Sequence, residues 1–229
     1  MSMKKHEIPL LCKYNFRSFF GLLVALCCLS GEAAELIPRT AESLMREYEL
    51  ISLTGNSDSE IEGPLWGLLD VAESLRDNAS EDAEFWIACA RVRFGYANTQ
   101  GPFKGTRLIS EVRKELERAI LLDSNELEGY ALAFLGYLYA SSPPWPLGFG
   151  DIEEAKKLLE QAISVNDKNV PNNYFYAVYL YKTENYINAL ERLAIADAVI
   201  DADSSNKPRT SFFAGNINEL KSEIERKIN

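Results

Sequence analysis

The 229-residue sequence predicts an all-α fold, a right-handed α-solenoid of antiparallel helix hairpins. A segment repeats with an offset of 34 residues, since Ala155 and Leu159 align with Ala189 and Leu193. A fixed period of this length is typical of stacked helical repeats. No stretch alternates apolar and polar residues in the way that predicts a strand. We therefore expect about three to four hairpins and a C-terminal capping helix.

The apolar periodicity predicts nine helices. They cover residues 38–53, 64–77, 82–97, 106–122, 128–141, 151–165, 171–183, 186–200 and 215–227. The segment PFKGTR after Gly101 is predicted to be a long turn ahead of the fourth helix. On the last helix, Ile217, Leu220, Ile224 and Ile228 form one apolar stripe, which is typical of a helix that caps a repeat stack.

The first 33 residues are predicted to be a signal peptide, and residues 34–229 a single domain. Four basic residues precede an apolar run of 12, which suits a signal peptide and is too short to cross a bilayer. The alternative is an uncleaved anchor or a buried N-terminal helix. Cleavage removes three of the four cysteines, so the mature chain cannot form an internal disulfide. Export without disulfides favours a bacterial periplasmic or secreted location.

The formal net charge of −10 argues against nucleic-acid binding and against anionic lipid surfaces. We expect the protein to contact a membrane only through the signal peptide, in molecules from which this segment has not been cleaved.

An inserted turn, SSPPWPLGFG, joins the fifth and sixth predicted helices. Prolines end the first of these helices, and Asp151 is placed to cap the next. We expect a rigid loop in which Trp145 is buried between hairpins, because an exposed Trp is costly. In the alternative interpretation, Trp145 and Phe149 offer an aromatic contact surface at the edge of a groove.

The segment LAFLGYLY resembles the first helix of a tetratricopeptide repeat (TPR), W-x-x-L-G-x-x-Y, with Leu132 in place of Trp. Ala155, Leu159, Ala162 and Asp167 resemble its second-helix pattern, A-x-x-x-F-x-x-A-x-x-x-x-P, with Leu for Phe and Asp for Pro. The chain is thus similar to an exported bacterial TPR subgroup whose inserted turn has a Pro-Trp-Pro-Leu-x-Phe-Gly-Asp core.

The resemblance implies a concave groove lined by the first helix of each hairpin. It implies that the partner-binding residues are Arg91, Tyr130, Tyr137, Tyr174, Tyr181 and the adjacent Lys182. The family's Lys/Asn/Arg clamp for a C-terminal carboxylate is absent. Such an aromatic groove suits an extended peptide, a partner helix or an apolar ligand. Alternatively, these tyrosines pack on a neighbouring loop or on the terminal helix.

Most enzyme classes are excluded by composition. The only His lies in the leader, and Cys89 is the one remaining cysteine, so His-dependent triads and His or thiolate metal sites are ruled out. No phosphate-binding or dinucleotide-binding glycine motif is present. We expect no cofactor, no metal and no catalysis. A paired-carboxylate hydrolase is the remaining enzyme hypothesis, although Asp151 and Glu153 are better explained as a helix start.

Two functions remain in competition. The leading interpretation is a non-catalytic periplasmic TPR scaffold that binds a protein or peptide partner. The second is an accessory, T-component-like subunit of a tripartite ATP-independent periplasmic transporter that binds a small apolar ligand. An open groove would favour the scaffold, whereas a closed cavity or tunnel lined by the tyrosines would favour the transporter subunit.

Overall fold

The structure is a computed structural model that describes residues 40–202 and 208–228, with side chains described outside 208–211. The predicted signal peptide lies outside these ranges. Within them the chain forms nine α-helices and no strand, which confirms the all-α prediction. The helices are α1 Ala41–Thr54, α2 Asp58–Leu75, α3 Ala83–Asn98, α4 Pro102–Leu122, α5 Glu126–Ser141, α6 Ile152–Val165, α7 Val170–Lys182, α8 Tyr186–Ala202 and α9 Pro208–Ile228. No helix in these ranges is long and apolar enough to cross a membrane.

Helices α3–α4, α5–α6 and α7–α8 pack as hairpins, and α1, α3, α5 and α7 pack side by side. The repeat residues Ala155, Leu159 and Ala162 are fully buried in the second hairpin. A Cβ atom at Gly136 would lie 2.7 Å from Cγ of Leu159, so α5 and α6 approach this closely only with a glycine there. The stack of hairpins is that of an α-solenoid, as the repeat predicts.

Three helices begin four or more residues earlier than the sequence predicts, at Asp58, Pro102 and Pro208. The prediction that PFKGTR is a turn is wrong, because these residues form the first turns of α4. Pro102 occupies the first turn, where its missing N–H costs no hydrogen bond. Pro64 lies inside α2, although the sequence places it at the start of that helix.

The start of α5 has an unusual backbone, with positive φ at Leu127 (48°), Glu128 (61°) and Gly129 (82°). The fully buried Asn172 of α7 holds this segment. Its side-chain amide donates to the carbonyl of Glu128 (2.9 Å) and to that of Ala162 (3.0 Å). The bonds tie the start of α5 and the end of α6 to α7, which fixes where the inward-facing side of α5 begins.

The inserted turn folds back on itself. The amides of Leu147 and Gly148 donate to the carbonyl of Pro144 (3.1 and 3.2 Å), and that of Gly150 donates to Pro143 (2.9 Å). A Cβ at Gly150 would lie 2.1 Å from the carbonyl oxygen of Ser142, so only glycine fits.

The prediction that Trp145 is buried is wrong, because this residue is 85% exposed at the tip of the turn. Phe149 fills the gap instead, with its ring 5.4 Å from that of Tyr139 and 5.0 Å from the guanidinium carbon of Arg113. The backbone bonds within the turn direct its tip away from the helices. As predicted, Asp151 caps α6 by accepting from the amides of Glu153 and Glu154, at 3.0 Å each.

The last helix, α9, packs on α8 through the predicted stripe, with Ile217, Leu220 and Ile224 buried and Ile228 48% exposed. It does more than cap the end of the stack, because it also contacts α7 and α1. The first and last described helices therefore meet. This contact covers the inner face that the sequence predicts as an open groove.

Candidate functional site: a partly enclosed aromatic cavity

A cavity of about 360 Å³ lies among α1, α2, α3, α5, α7 and α9. From α5 it is lined by Tyr130, Phe134 and Tyr137, which fall on one face of the helix because they are four and three residues apart. The ring of Phe134 stacks on Phe175 of α7 with centroids 5.4 Å apart, and Phe94 of α3 meets Phe134 edge-on at 5.1 Å. Interlocking rings from three neighbouring helices thus form one wall.

The opposite wall comes from α1 and α9, the first and last helices that the structure describes. Phe212 of α9 lies 6.2 Å from Tyr48 of α1, and Phe213 lies 5.5 Å from Tyr174 of α7. Phe213 is only 1% exposed. These contacts make α1 and the start of α9 a cover over part of the inner helices, so the site is a partly enclosed cavity.

Arg91 of α3 is the buried charge of the lining, at 2% exposure. Its Nη1 donates to Oε1 of Glu49 on α1 at 3.0 Å. The guanidinium carbon lies 4.8 Å from the ring centre of Tyr48, 5.6 Å from Tyr130 and 5.7 Å from Phe212, within the range of cation–π attraction. Burial lowers the pKa of Arg91, but the two tyrosines and Glu49 outweigh burial and raise the pKa above its ordinary value. The side chain therefore stays charged.

Two tyrosines of the lining, Tyr137 and Tyr174, stay neutral. Burial raises the pKa of Tyr137, although a hydrogen bond with Ser141 opposes the shift. Burial also raises the pKa of Tyr174, with smaller contributions from Tyr137 and Glu219. Their hydroxyls remain protonated at neutral pH, so they present polar but uncharged groups to whatever enters the cavity.

Four of the predicted groove residues, Arg91, Tyr130, Tyr137 and Tyr174, come together in this cavity. Tyr181 and Lys182 do not line it. Tyr181 lies two helical turns beyond Tyr174, about 10 Å farther along α7, and packs 5.9 Å from the ring of Tyr186. The side chain of Lys182 is exposed.

Tyr48 and the pair Phe212–Phe213 are site residues that the sequence analysis missed. The pair lies between the predicted helices 186–200 and 215–227, in a polar stretch outside both of them. Two adjacent aromatic residues in such a stretch are the signal that could have placed the start of α9 against the core.

A second cavity of about 390 Å³ lies between α3, α4, α5 and the inserted turn. Phe94, Asn98 and Tyr137 line both cavities and therefore stand between them. Phe149 lines this second cavity, whereas Trp145 lines neither of the two. The inserted turn thus forms part of a cavity wall through Phe149.

The fold and site together define a class: a helical-hairpin protein whose inner face is closed over an aromatic cavity. Residues 45–214 match the family described as the TRAP transporter T-component, and the chain belongs to that family. No curated protein matches the chain. TRAP denotes the tripartite ATP-independent periplasmic transporters, so the protein is a subunit of a periplasm-associated transporter and works with other transporter subunits.

Family membership corrects two predictions. The chain is not identified as a TPR protein, and its inserted turn does not mark a TPR subgroup. The 34-residue pattern does not distinguish the two families, because small residues such as Gly136 and Ala155 are required wherever two helices of a hairpin pack closely. The prediction of a TPR scaffold is also wrong. The family match favours the second interpretation, a transporter T-component.

Proposed function

We propose that this protein is a non-catalytic, periplasmic T-component that holds a small apolar ligand in the aromatic cavity while it works with other subunits of the transporter. The observation that carries the proposal is the closure of the inner face by α1 and α9 in a chain of this family. A peptide-binding scaffold needs an exposed concave surface, whereas here Phe213 occupies that surface and is buried.

The lining favours an apolar ligand. Its walls are mainly aromatic rings, and the hydroxyls of Tyr137 and Tyr174 are neutral. Concave, mostly apolar sites with a few polar groups are typical of small-molecule binding, and about 300–1,000 Å³ is their usual volume. At about 360 Å³ the cavity suits a ligand at the small end of this range.

For the contact with another subunit, we propose the tip of the inserted turn. Trp145 is 85% exposed and Leu147 is 77% exposed, two residues apart on a turn that its backbone hydrogen bonds hold in shape. Exposed tryptophans are enriched among the residues that dominate binding energy at protein interfaces. A pre-ordered turn also loses little conformational entropy on binding.

The ligand part of the proposal is tested with a neutral fluorescent probe, N-phenyl-1-naphthylamine, titrated into the mature chain. We expect saturable binding that Ser52→Phe weakens at least tenfold, because Ser52 lines the cavity and the added ring fills it. Leu50→Phe is the matched control on the same helix, at a position 53% exposed and outside the lining, and should bind as the wild type does. Equal binding by both variants would contradict the proposed site.

The partner part is tested by affinity capture from the native cell envelope with the mature chain as bait. Other subunits of a TRAP transporter should be recovered and identified by mass spectrometry. Trp145→Ala should reduce their recovery, whereas the exposed Ile187→Ala, on α8 away from the turn, should not. Recovery that excludes transporter subunits would contradict the proposed function.

A further inference from the structure

One polar atom in the cavity wall has no partner. Nη2 of Arg91 is buried, and within the part of the chain that the structure describes it makes no hydrogen bond. The same guanidinium uses Nη1 to bind Glu49 at 3.0 Å. Buried donors in native proteins are nearly always satisfied, because losing water without gaining a partner is unfavourable. Because Arg91 lines the cavity, this unsatisfied donor is a candidate partner for an acceptor on a ligand.

The surroundings of Arg91 determine which end of a ligand this donor meets. The guanidinium is bounded by the rings of Tyr48, Tyr130 and Phe212, all within 6 Å of its central carbon. The stacked rings of Phe134 and Phe175 lie along the rest of the wall. A ligand that fills this space has a polar head at Arg91 and an apolar body against the phenylalanines.

The charge balance at Arg91 favours an uncharged head. Glu49 is itself buried, with a side chain 7% exposed, and already places one carboxylate on the guanidinium. A carboxylate on the ligand would bring a second negative charge to the same cation in a site shielded from water, where like charges repel strongly. A carbonyl oxygen accepts the same hydrogen bond without that penalty.

We propose that Nη2 of Arg91 donates a hydrogen bond to an uncharged acceptor oxygen, such as a ketone or ester carbonyl, on an apolar ligand of the cavity. This inference rests on the proposed function and names the ligand class of that same site. Arg91 sets the orientation and selectivity of binding, while the aromatic rings supply most of the contact area.

Three probes that share one body test the inference. 2-Acetylnaphthalene has a neutral acceptor, 2-naphthoate has an anionic one, and 2-ethylnaphthalene has none. We expect the wild-type protein to bind the ketone about tenfold more tightly than either of the others, since one well-made buried hydrogen bond contributes about this factor. Tighter binding of 2-naphthoate would overturn the assignment of an uncharged head.

A conservative variant tests the role of Arg91 itself. Arg91→Lys keeps the positive charge for Glu49 but loses the forked guanidinium that holds a second donor in a fixed direction. The variant should lose the preference for the ketone over 2-ethylnaphthalene. A retained tenfold preference would overturn the proposal.

A control separates failure of this inference from failure of the proposed function. Should Arg91→Lys fail to fold, as judged by its thermal melt, the preference is measured with Ser52→Phe and Leu50→Phe. The first should lose binding of all three probes and the second should keep the wild-type order. Equal affinity of the wild type for all three probes, with transporter subunits still captured, would overturn the inference and leave the T-component function standing.

Discussion

The side chains of the inserted turn divide into an outer and an inner set. Trp145 is 85% exposed, whereas Phe149 packs on Tyr139 and Arg113. We expect Trp145→Ala to change the free energy of unfolding by under about 0.5 kcal/mol, as is usual for surface substitutions. Phe149→Ala removes a packed ring and should cost about 2 kcal/mol. Thermal or urea unfolding of the two variants measures both values, and a larger loss for Trp145→Ala would contradict the orientation of the turn.

Cys89 illustrates how burial controls reactivity. The side chain is 2% exposed, and burial, followed by the nearby Glu115 carboxylate, raises the pKa of the thiol well above its ordinary value. Thiol reagents should therefore leave the native mature protein unlabelled at about pH 8 and label it fully in denaturant. Because the thiol ionises at lower pH in the unfolded chain, this group makes stability fall as pH rises above about 8.5. Rapid labelling of the native protein would contradict this burial.

The sequence pattern predicts which residues share a helix face, but it does not predict which side chains are buried in the core. Tyr130, Tyr137 and Tyr174 were expected in a common groove from the resemblance to the repeat family, and the structure brings them together in one cavity. The direction of Trp145 depends on hydrogen bonds inside a proline-rich turn, such as that from Gly150 to Pro143. No periodic pattern encodes those bonds.

Among the helices, a buried ion network joins α2, α3 and α4. Glu115 of α4, 3% exposed, accepts hydrogen bonds from Arg93 of α3 (2.9 Å) and from Arg76 at the end of α2 (3.0 Å). Removing the carboxylate leaves Arg93 buried and without this partner, so Glu115→Ala should cost about 3–5 kcal/mol.

A control for this network lies on the same helix. Glu111 pairs with Lys114 at 2.9 Å near the surface, where an ion pair contributes little, so Glu111→Ala should cost less than about 1 kcal/mol. Urea unfolding of both variants gives the comparison. Equal and small losses of unfolding free energy in the two variants would mean that the network does not stabilise the packing of the three helices.

The predicted helices match the nine observed ones, and the errors come from proline. The sequence analysis took Pro64 and Pro102 as marks of turns or helix starts, but Pro64 lies within α2 and Pro102 lies in the first turn of α4. In the first turn, the N–H that Pro102 lacks would have no partner within the helix, whereas Pro64 lies in a helix interior, which proline disfavours. Local sequence does not show how far a helix extends ahead of such a residue.

For the whole molecule, closure depends on α9. Phe213 is 1% exposed and lies 5.5 Å from the ring of Tyr174 and 5.9 Å from that of Phe175. Phe213→Ala should cost about 3–5 kcal/mol and weaken probe binding, since it removes part of the cover of the cavity.

The control for the cover lies at the other end of α9. Ile228 is 48% exposed, so Ile228→Ala should change stability by under about 1 kcal/mol and leave probe binding unchanged. Unfolding curves and probe titrations of the two variants give the comparison. Unchanged probe binding in Phe213→Ala would show that α9 does not close the site.

The sequence patterns do not predict that α1 and α9 meet. The 34-residue repeat predicts neighbouring hairpins, because each repeat contacts the next one. The contact between Tyr48 and Phe212 joins the two ends of the described chain, and no local pattern specifies such a pairing. An open repeat stack was therefore predicted where the ends in fact meet, and with it a peptide groove where the structure has a cavity.

Hydrogen–deuterium exchange of the protein with and without 2-acetylnaphthalene tests whether α1 and α9 cover a bound ligand. If the ligand lies in a cavity covered by these two helices, protection should increase together in α1, α3, α5, α7 and the start of α9. The outer helices α4, α6 and α8 should change little. The account would be contradicted if exchange in α9 increased on binding, because α9 would then be leaving the inner face to open a groove.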